Sequence, residues 1–196
     1  MRIVADELAH AELSHATFVA AGGTQIQPLV RESLALSQRP GESLEEVVTR
    51  WGVEIFCLGE TVAVPLFKVL REKCDVPPAR AALDRVLRDE VRHRDFGWSL
   101  LDYLLQSPHE PVVRSVLERE LEGMFRRIRS SYAPAGGGEE TEIPAEDRRW
   151  GLMAMARYGE ILERTYVRDY RPRFAKLGVN SDSAWAASGQ SNSTAA

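Results

Sequence analysis

The chain has 196 residues, 44% of them hydrophobic, and a formal charge of -4. That is enough for one domain with its own core, and the mild acidity excludes a dedicated nucleic-acid binder because every basic stretch has acidic residues close by. No apolar run is long enough to span a bilayer, and the start turns acidic at Asp6-Glu7, too early for a signal peptide. Cys57 and Cys74 fall on one predicted helix, too far apart along its axis to pair. A reduced cytoplasmic protein, contacting neither nucleic acid nor membrane, is the expectation.

Helical spacing over Ile3/Val4, Glu7, His10/Ala11, Ser14 and Phe18 predicts a first helix from the start to about residue 20, stopped by Gly22-Gly23. It opens without a capping residue, as if the chain began inside a helix. Residues 22–41 are broken by Pro28, Pro40 and Gly41, with room for a short helix over 30–36. Ser43-Leu44-Glu45-Glu46 is a capping box opening a long second helix, which runs to about Lys73 with a kink expected at Pro65. Pro77-Pro78 suits the first turn of a third helix. Ser107-Pro108-His109-Glu110-Pro111 separates it from a fourth, built on Val113, Val116, Leu117, Leu121, Phe125 and Ile128.

Residues 133–144, with Gly136-Gly137-Gly138, predict an exposed link. A fifth helix is expected from about Ala145 to Phe174 on Leu152, Met155, Ala156, Gly159, Leu162, Tyr166 and Tyr170, bent or ended by Pro172. A helical domain over 1–178 and a disordered tail over 179–196 follow from composition. With no sustained strand alternation, the expected class is all-α, an antiparallel helical bundle.

One pattern stands above this background. Arg2-Ile-Val-Ala-Asp-Glu-Leu-Ala-His10 aligns with Arg85-Val-Leu-Arg-Asp-Glu-Val-Arg-His93, with Arg, Asp, Glu and His identical. Residues three apart share a helix face, so Glu7 with His10 and Glu90 with His93 can each aim a carboxylate and an imidazole at one point. Glu60 sits among Phe56, Cys57, Ala63 and Val64, where an unpaired charge costs several kcal/mol or is neutralised. Carboxylates and imidazoles gathered on three helices suit iron, manganese or zinc. Asp6 and Asp89 are placed to accept the N–H of the opposite imidazole. A Glu-x-x-His alone is weak: Glu12-Leu13-Ser14-His15 also fits, but lies about 140° round the helix from Glu7 and His10, and is expected at the surface. Cys57 reads as a small core residue and Glu54 as solvated or paired.

These strings, with Gly59-Glu60-Thr61 before the second motif and Phe96-Gly97-Trp98 after it, resemble the ferritin-like superfamily of di-iron or di-manganese carboxylate bundles. The resemblance covers residues 1–106. It implies a ligand set of Glu7, His10, Glu60, Glu90 and His93, two iron ions (alternatively manganese), and O2 or peroxide acting with a small-molecule substrate in an oxidoreductase. It also implies a sixth ligand, a glutamate on a preceding helix. Glu60 lies 30 residues before Glu90, and the same offset from Glu7 falls before Met1. The expectation is therefore a bundle lacking its first helix. A later start than the natural one would explain it, as would a partner chain or homodimer supplying the helix, or the fifth helix with Glu163 or Glu160 standing in. Two alternatives stay open: a non-catalytic remnant acting as a helical interaction module, and, with less support, a zinc hydrolase using Glu60 as base.

Overall fold

The computed structural model describes residues 2–25, 36–132 and 142–189. Every regular element among them is helical: α1 (Arg2–Ala20), α2 (Leu44–Trp51), a π-helical stretch (Gly52–Gly59), α3 (Glu60–Glu72), α4 (Pro77–Leu105), α5 (Glu110–Tyr132), α6 (Ala145–Arg148), α7 (Met155–Thr165), a second π-helical stretch (Tyr166–Tyr170), α8 (Arg171–Lys176) and α9 (Asp182–Ser188). The class is all-α. Among the described residues no helix is long and apolar enough to cross a membrane.

The expected boundaries at Ser43 and Pro77 are present. The Ser43 hydroxyl accepts from the Glu46 N–H while the Glu46 carboxylate accepts from the Ser43 N–H, and Pro77 and Pro78 occupy the first turn of α4, where no donor is needed. Short connections turn α3 back onto α4 and α4 back onto α5, and α7 closes against α3 and α5. Their facing stripes make one core, with Leu58, Val62, Leu101, Val113, Met124, Phe125, Leu162, Tyr170 and Phe174 almost wholly removed from water. The short helix considered for residues 30–36 and most of the 133–144 link lie outside the described residues.

The second long helix holds the first departure. Between α2 and α3 the backbone widens to π geometry from Gly52 to Gly59, so the Glu60 N–H bonds the Ile55 carbonyl. Sequence periodicity assumed a uniform helix here, with its irregularity at Pro65. Pro65 instead lies within α3, and the widened turns come before it. This bulge presses on α4 at Gly97, where an added Cβ would lie 2.5 Å from Phe56 Cβ and 2.7 Å from its carbonyl carbon. Only glycine permits that approach. One residue on, the Trp98 indole N–H donates to Thr61 Oγ1 at 2.9 Å, and the buried Tyr170 hydroxyl donates to the Leu58 carbonyl at 2.6 Å. The two short strings on either side of the motifs thus form one interlocked contact.

The second departure is at the fifth helix. It does not run from Ala145: Gly151 takes a left-handed conformation (φ 88°), and helix resumes only at Met155. The Arg149 carbonyl accepts the N–H groups of Asp75 and Val76, committing this segment to the α3–α4 turn. Leu152 and Met155, expected on the core stripe, are exposed as a result. Pro172 does not end the helix; it sits in the first turn of α8 after the second π stretch.

The third departure is the tail. Residues 179–189 are ordered, with α9 packed on α5 and the Trp185 ring stacked on Tyr166 at 4.2 Å, 4° from coplanar. The Arg129 guanidinium lies 3.6 Å above the Trp185 ring. Composition undervalued one large aromatic that stacking and a cation–π contact can hold. Residues 190–196 lie outside the described residues.

Replacing Gly97 by Ala should destabilise the protein by about 1–3 kcal/mol, the usual cost of overpacking, because the atoms in the way are largely backbone. Urea denaturation of the purified variant checks this; an unchanged midpoint would mean the π-helical stretch yields freely.

Candidate metal centre

The helix α1 packs on α4 and contributes no residue to the apolar core. Only Asp6 and His10 of its residues are buried. The seam between α1 and α4 is polar and crossed. His10 Nε2 lies 3.2 Å from Asp89 Oδ2, and His93 Nε2 lies 3.3 Å from Asp6 Oδ2. Arg92 donates to both aspartates at 2.8 Å, and Arg85 donates to Asp6 at 3.1 Å and to Asp89. The aspartate of each repeat therefore holds the histidine of the other. These contacts keep both aspartates ionised: the Arg92 hydrogen bond leads in lowering Asp6, and at Asp89 burial works the other way but is outweighed by Arg85, Arg92 and His10.

With Nε2 tied to an aspartate, each imidazole turns its Nδ1 into the space between the helices. His93 Nδ1 lies 3.1 Å from Glu7 Oε1 and 3.2 Å from Glu90 Oε2. His10 Nδ1 lies 3.6 Å from Glu7 Oε2 and 3.6 Å from Glu90 Oε1. Each of the two glutamates thus offers one oxygen to each imidazole. Glu60, placed by the π-helical stretch, joins at the His93 side: Glu7, Glu60, Glu90 and His93 each present one ligand atom within 4.8 Å of all the others. That cluster could hold a metal ion. His10 faces the same two glutamates from the far side, with the imidazole centroids 5.8 Å apart.

The electrostatics point the same way. None of Glu7, Glu60 and Glu90 pairs with lysine or arginine among the described residues; Glu7 and Glu90 pair only with the histidines. Burial raises the Glu60 carboxyl, and the Glu7 charge adds to the rise. Burial, the Glu60 hydrogen bond and the Glu60 charge together push Glu90 up to about 8. Burial beside the other acids thus favours the protonated form of both carboxyls, a cost that a bound cation would offset. Both Nδ1 atoms therefore face carboxylate oxygens across the space between the helices. Hard oxygens with two imidazole nitrogens suit a divalent transition metal, and the residues fit the group the sequence implied.

The other expectations divide. Glu163 pairs with Arg129, and the half-exposed Glu160 pairs with Arg157, so neither stands in as a ligand. The cause is that α7 packs on α3 and α5, away from α1. Glu12 and His15 are exposed, Cys57 is a fully buried thiol, and Glu54 pairs with Arg127. Sequence reasoning missed Tyr132, at the end of α5. Burial first, then the Glu60 and Glu90 charges, push its phenol up to about 12. No periodicity flags it, since α5 carries no ligand motif. Comparison with known proteins finds no family model, curated protein or solved structure that matches the chain.

Two outcomes follow. A carboxyl raised above its unfolded value (Glu about 4.3) binds more protons in the folded state, so it costs stability as pH rises between the two values. The metal-free protein should therefore lose stability from about pH 4.5 to pH 8 through Glu60 and Glu90, and saturating Mn(II) should abolish that loss. Melting curves across this range check it, and a metal-free protein whose stability rises through the window contradicts it. In addition, Arg92→Ala should free α1 while leaving the bundle folded, seen as faster hydrogen exchange over residues 2–20 than over 113–128.

Proposed function

We propose that this protein is a ferritin-like two-metal protein, an O2- or peroxide-dependent oxidoreductase with iron, or alternatively manganese, as its metal. The observation that carries this reading is the exchange of oxygens at the centre, where Glu7 and Glu90 each present one oxygen to His10 Nδ1 and one to His93 Nδ1. Two carboxylates shared between two imidazoles fit two ions better than one. His93, Glu60, Glu7 and Glu90 would hold one ion, and His10, Glu7 and Glu90 the other. When bound, two redox-active ions supply electrons for reducing dioxygen or peroxide. The protein's own part is to fix both imidazoles through Asp6 and Asp89, to surround Glu60 with apolar side chains, and to release protons from Glu60 and Glu90 on loading. The substrate is either Fe(II) itself or a small organic molecule.

A second reading has its own observation. The outer side of α1 exposes Val4, Leu8, Phe18 and Val19. An apolar helix face of this kind is a site for helical association, with a second copy or a partner chain covering it. Concentration-dependent association of protein purified without metal favours that interaction-module reading.

Metal-free protein loaded anaerobically with Fe(II) and then given oxygen should consume it in step with bound iron. Glu60→Ala and Glu90→Ala should each lower the uptake at least about tenfold, in line with the loss of a positioned ligand. Binding of less than one metal equivalent, with no oxygen uptake, overturns the enzymatic reading.

A further inference from the structure

The two halves of the centre are unequal. At the His93 side the donors are His93, Glu7, Glu90 and Glu60; at the His10 side only His10, Glu7 and Glu90 converge among the described residues. The repeat that generates the centre is complete in its Asp-Glu-x-x-His parts, yet among the described residues Glu60 has no counterpart at the His10 side. The charges are unequal too. Two divalent ions bring four positive charges against three from Glu7, Glu60 and Glu90. Asp6 and Asp89 do not make up the difference, because Arg85 and Arg92 already match them, with the exposed Arg88 close to Asp89 as well. On this count one positive charge is unmatched, and the half with fewer protein donors is the His10 side. The centre meets solvent at Glu7, whose side chain is 53% exposed, whereas the His10 and His93 side chains are 9% and 0% exposed.

Resting on the two-metal reading above, we infer that the His10 side is completed by a carboxylate from solution, so that the ligand, substrate or product that this centre takes is a small carboxylic acid bound as its anion. A carboxylate supplies what is missing in both respects: an oxygen donor of the type Glu60 provides across the centre, and a single negative charge. Its binding and that of the second ion are then linked, each strengthening the other. The first ion, in the four-donor half, needs no such help. The half-exposed Glu7 lies between Val4 and Leu8 on α1, both also exposed, and among the described residues it pairs with no lysine or arginine.

The test is a titration of metal-free protein with Co(II), whose visible absorption reports its coordination, in the presence of acetate, phosphate or chloride at matched ionic strength. Acetate should tighten the second cobalt equivalent by about tenfold, within the usual range of site–site coupling, and leave the first unchanged; phosphate and chloride should do neither. In His10→Ala one equivalent should still bind, which shows that the fold and the other half survive, and the acetate effect should vanish. Glu60→Gln should make the remaining half acetate-sensitive as well. Two cobalt equivalents with affinities indifferent to acetate, or an acetate effect that persists in His10→Ala, overturns this inference and leaves the two-metal reading standing. Binding of less than one equivalent under every anion overturns both.

Discussion

The crossed hydrogen bonds between α1 and α4 determine what this molecule can do. His10 is held by Asp89 and His93 by Asp6, so each helix orients the imidazole of the other, and Arg85 and Arg92 fix the aspartates in turn. Because this layer uses Nε2 on both rings, Nδ1 is what remains for the centre. Glu7 and Glu90 then meet both Nδ1 atoms, and among the described residues no arginine or lysine pairs with Glu7, Glu60 or Glu90. Without a cation, burial beside one another favours the protonated forms of Glu60 and Glu90.

This arrangement also explains how α1 can belong to the fold while adding nothing to its apolar core. A helix that buries only an aspartate and a histidine gains little from the hydrophobic effect. Its attachment is electrostatic, and a bound ion shared by Glu7 on α1 with Glu90 on α4 would strengthen it. Metal affinity and the docking of α1 then share one free energy, as in any site that is assembled rather than preformed. The rest of the bundle has independent support from the packing of α2 through α5 with α7, α8 and α9. The division is therefore between a rigid platform carrying Glu60, Glu90 and His93 and one helix bringing Glu7 and His10.

Much of this was legible in the sequence, and the parts that were not share physical causes. The repeated Arg-x-x-x-Asp-Glu-x-x-His named residues that meet across one seam, because i, i+3 spacing on two helices leaves few ways to pack both. The crossing of Asp6 to His93 and Asp89 to His10 followed from that pairing. The π-helical stretch was invisible: it packs Phe56 against Gly97 of a distant segment, a contact that no local propensity encodes. The break at Gly151 was likewise set by a tertiary partner, the turn at Asp75 and Val76. Glu163 and Glu160 had suitable spacing on α7, but spacing says nothing about which neighbour a helix chooses. Trp185 shows the same limit, since its stacking partners lie elsewhere in the chain.

The central claim is that two ions belong between His10 and His93, and locating them is its most direct test. Crystals grown metal-free, soaked in Mn(II) and measured above and below the manganese absorption edge, should give two anomalous peaks flanked by Glu7 and Glu90, about 3.5–4 Å apart. The stronger peak should lie on the Glu60 side. A map with no anomalous density between the two histidines, from a crystal in which α1 is docked as described, would contradict the account.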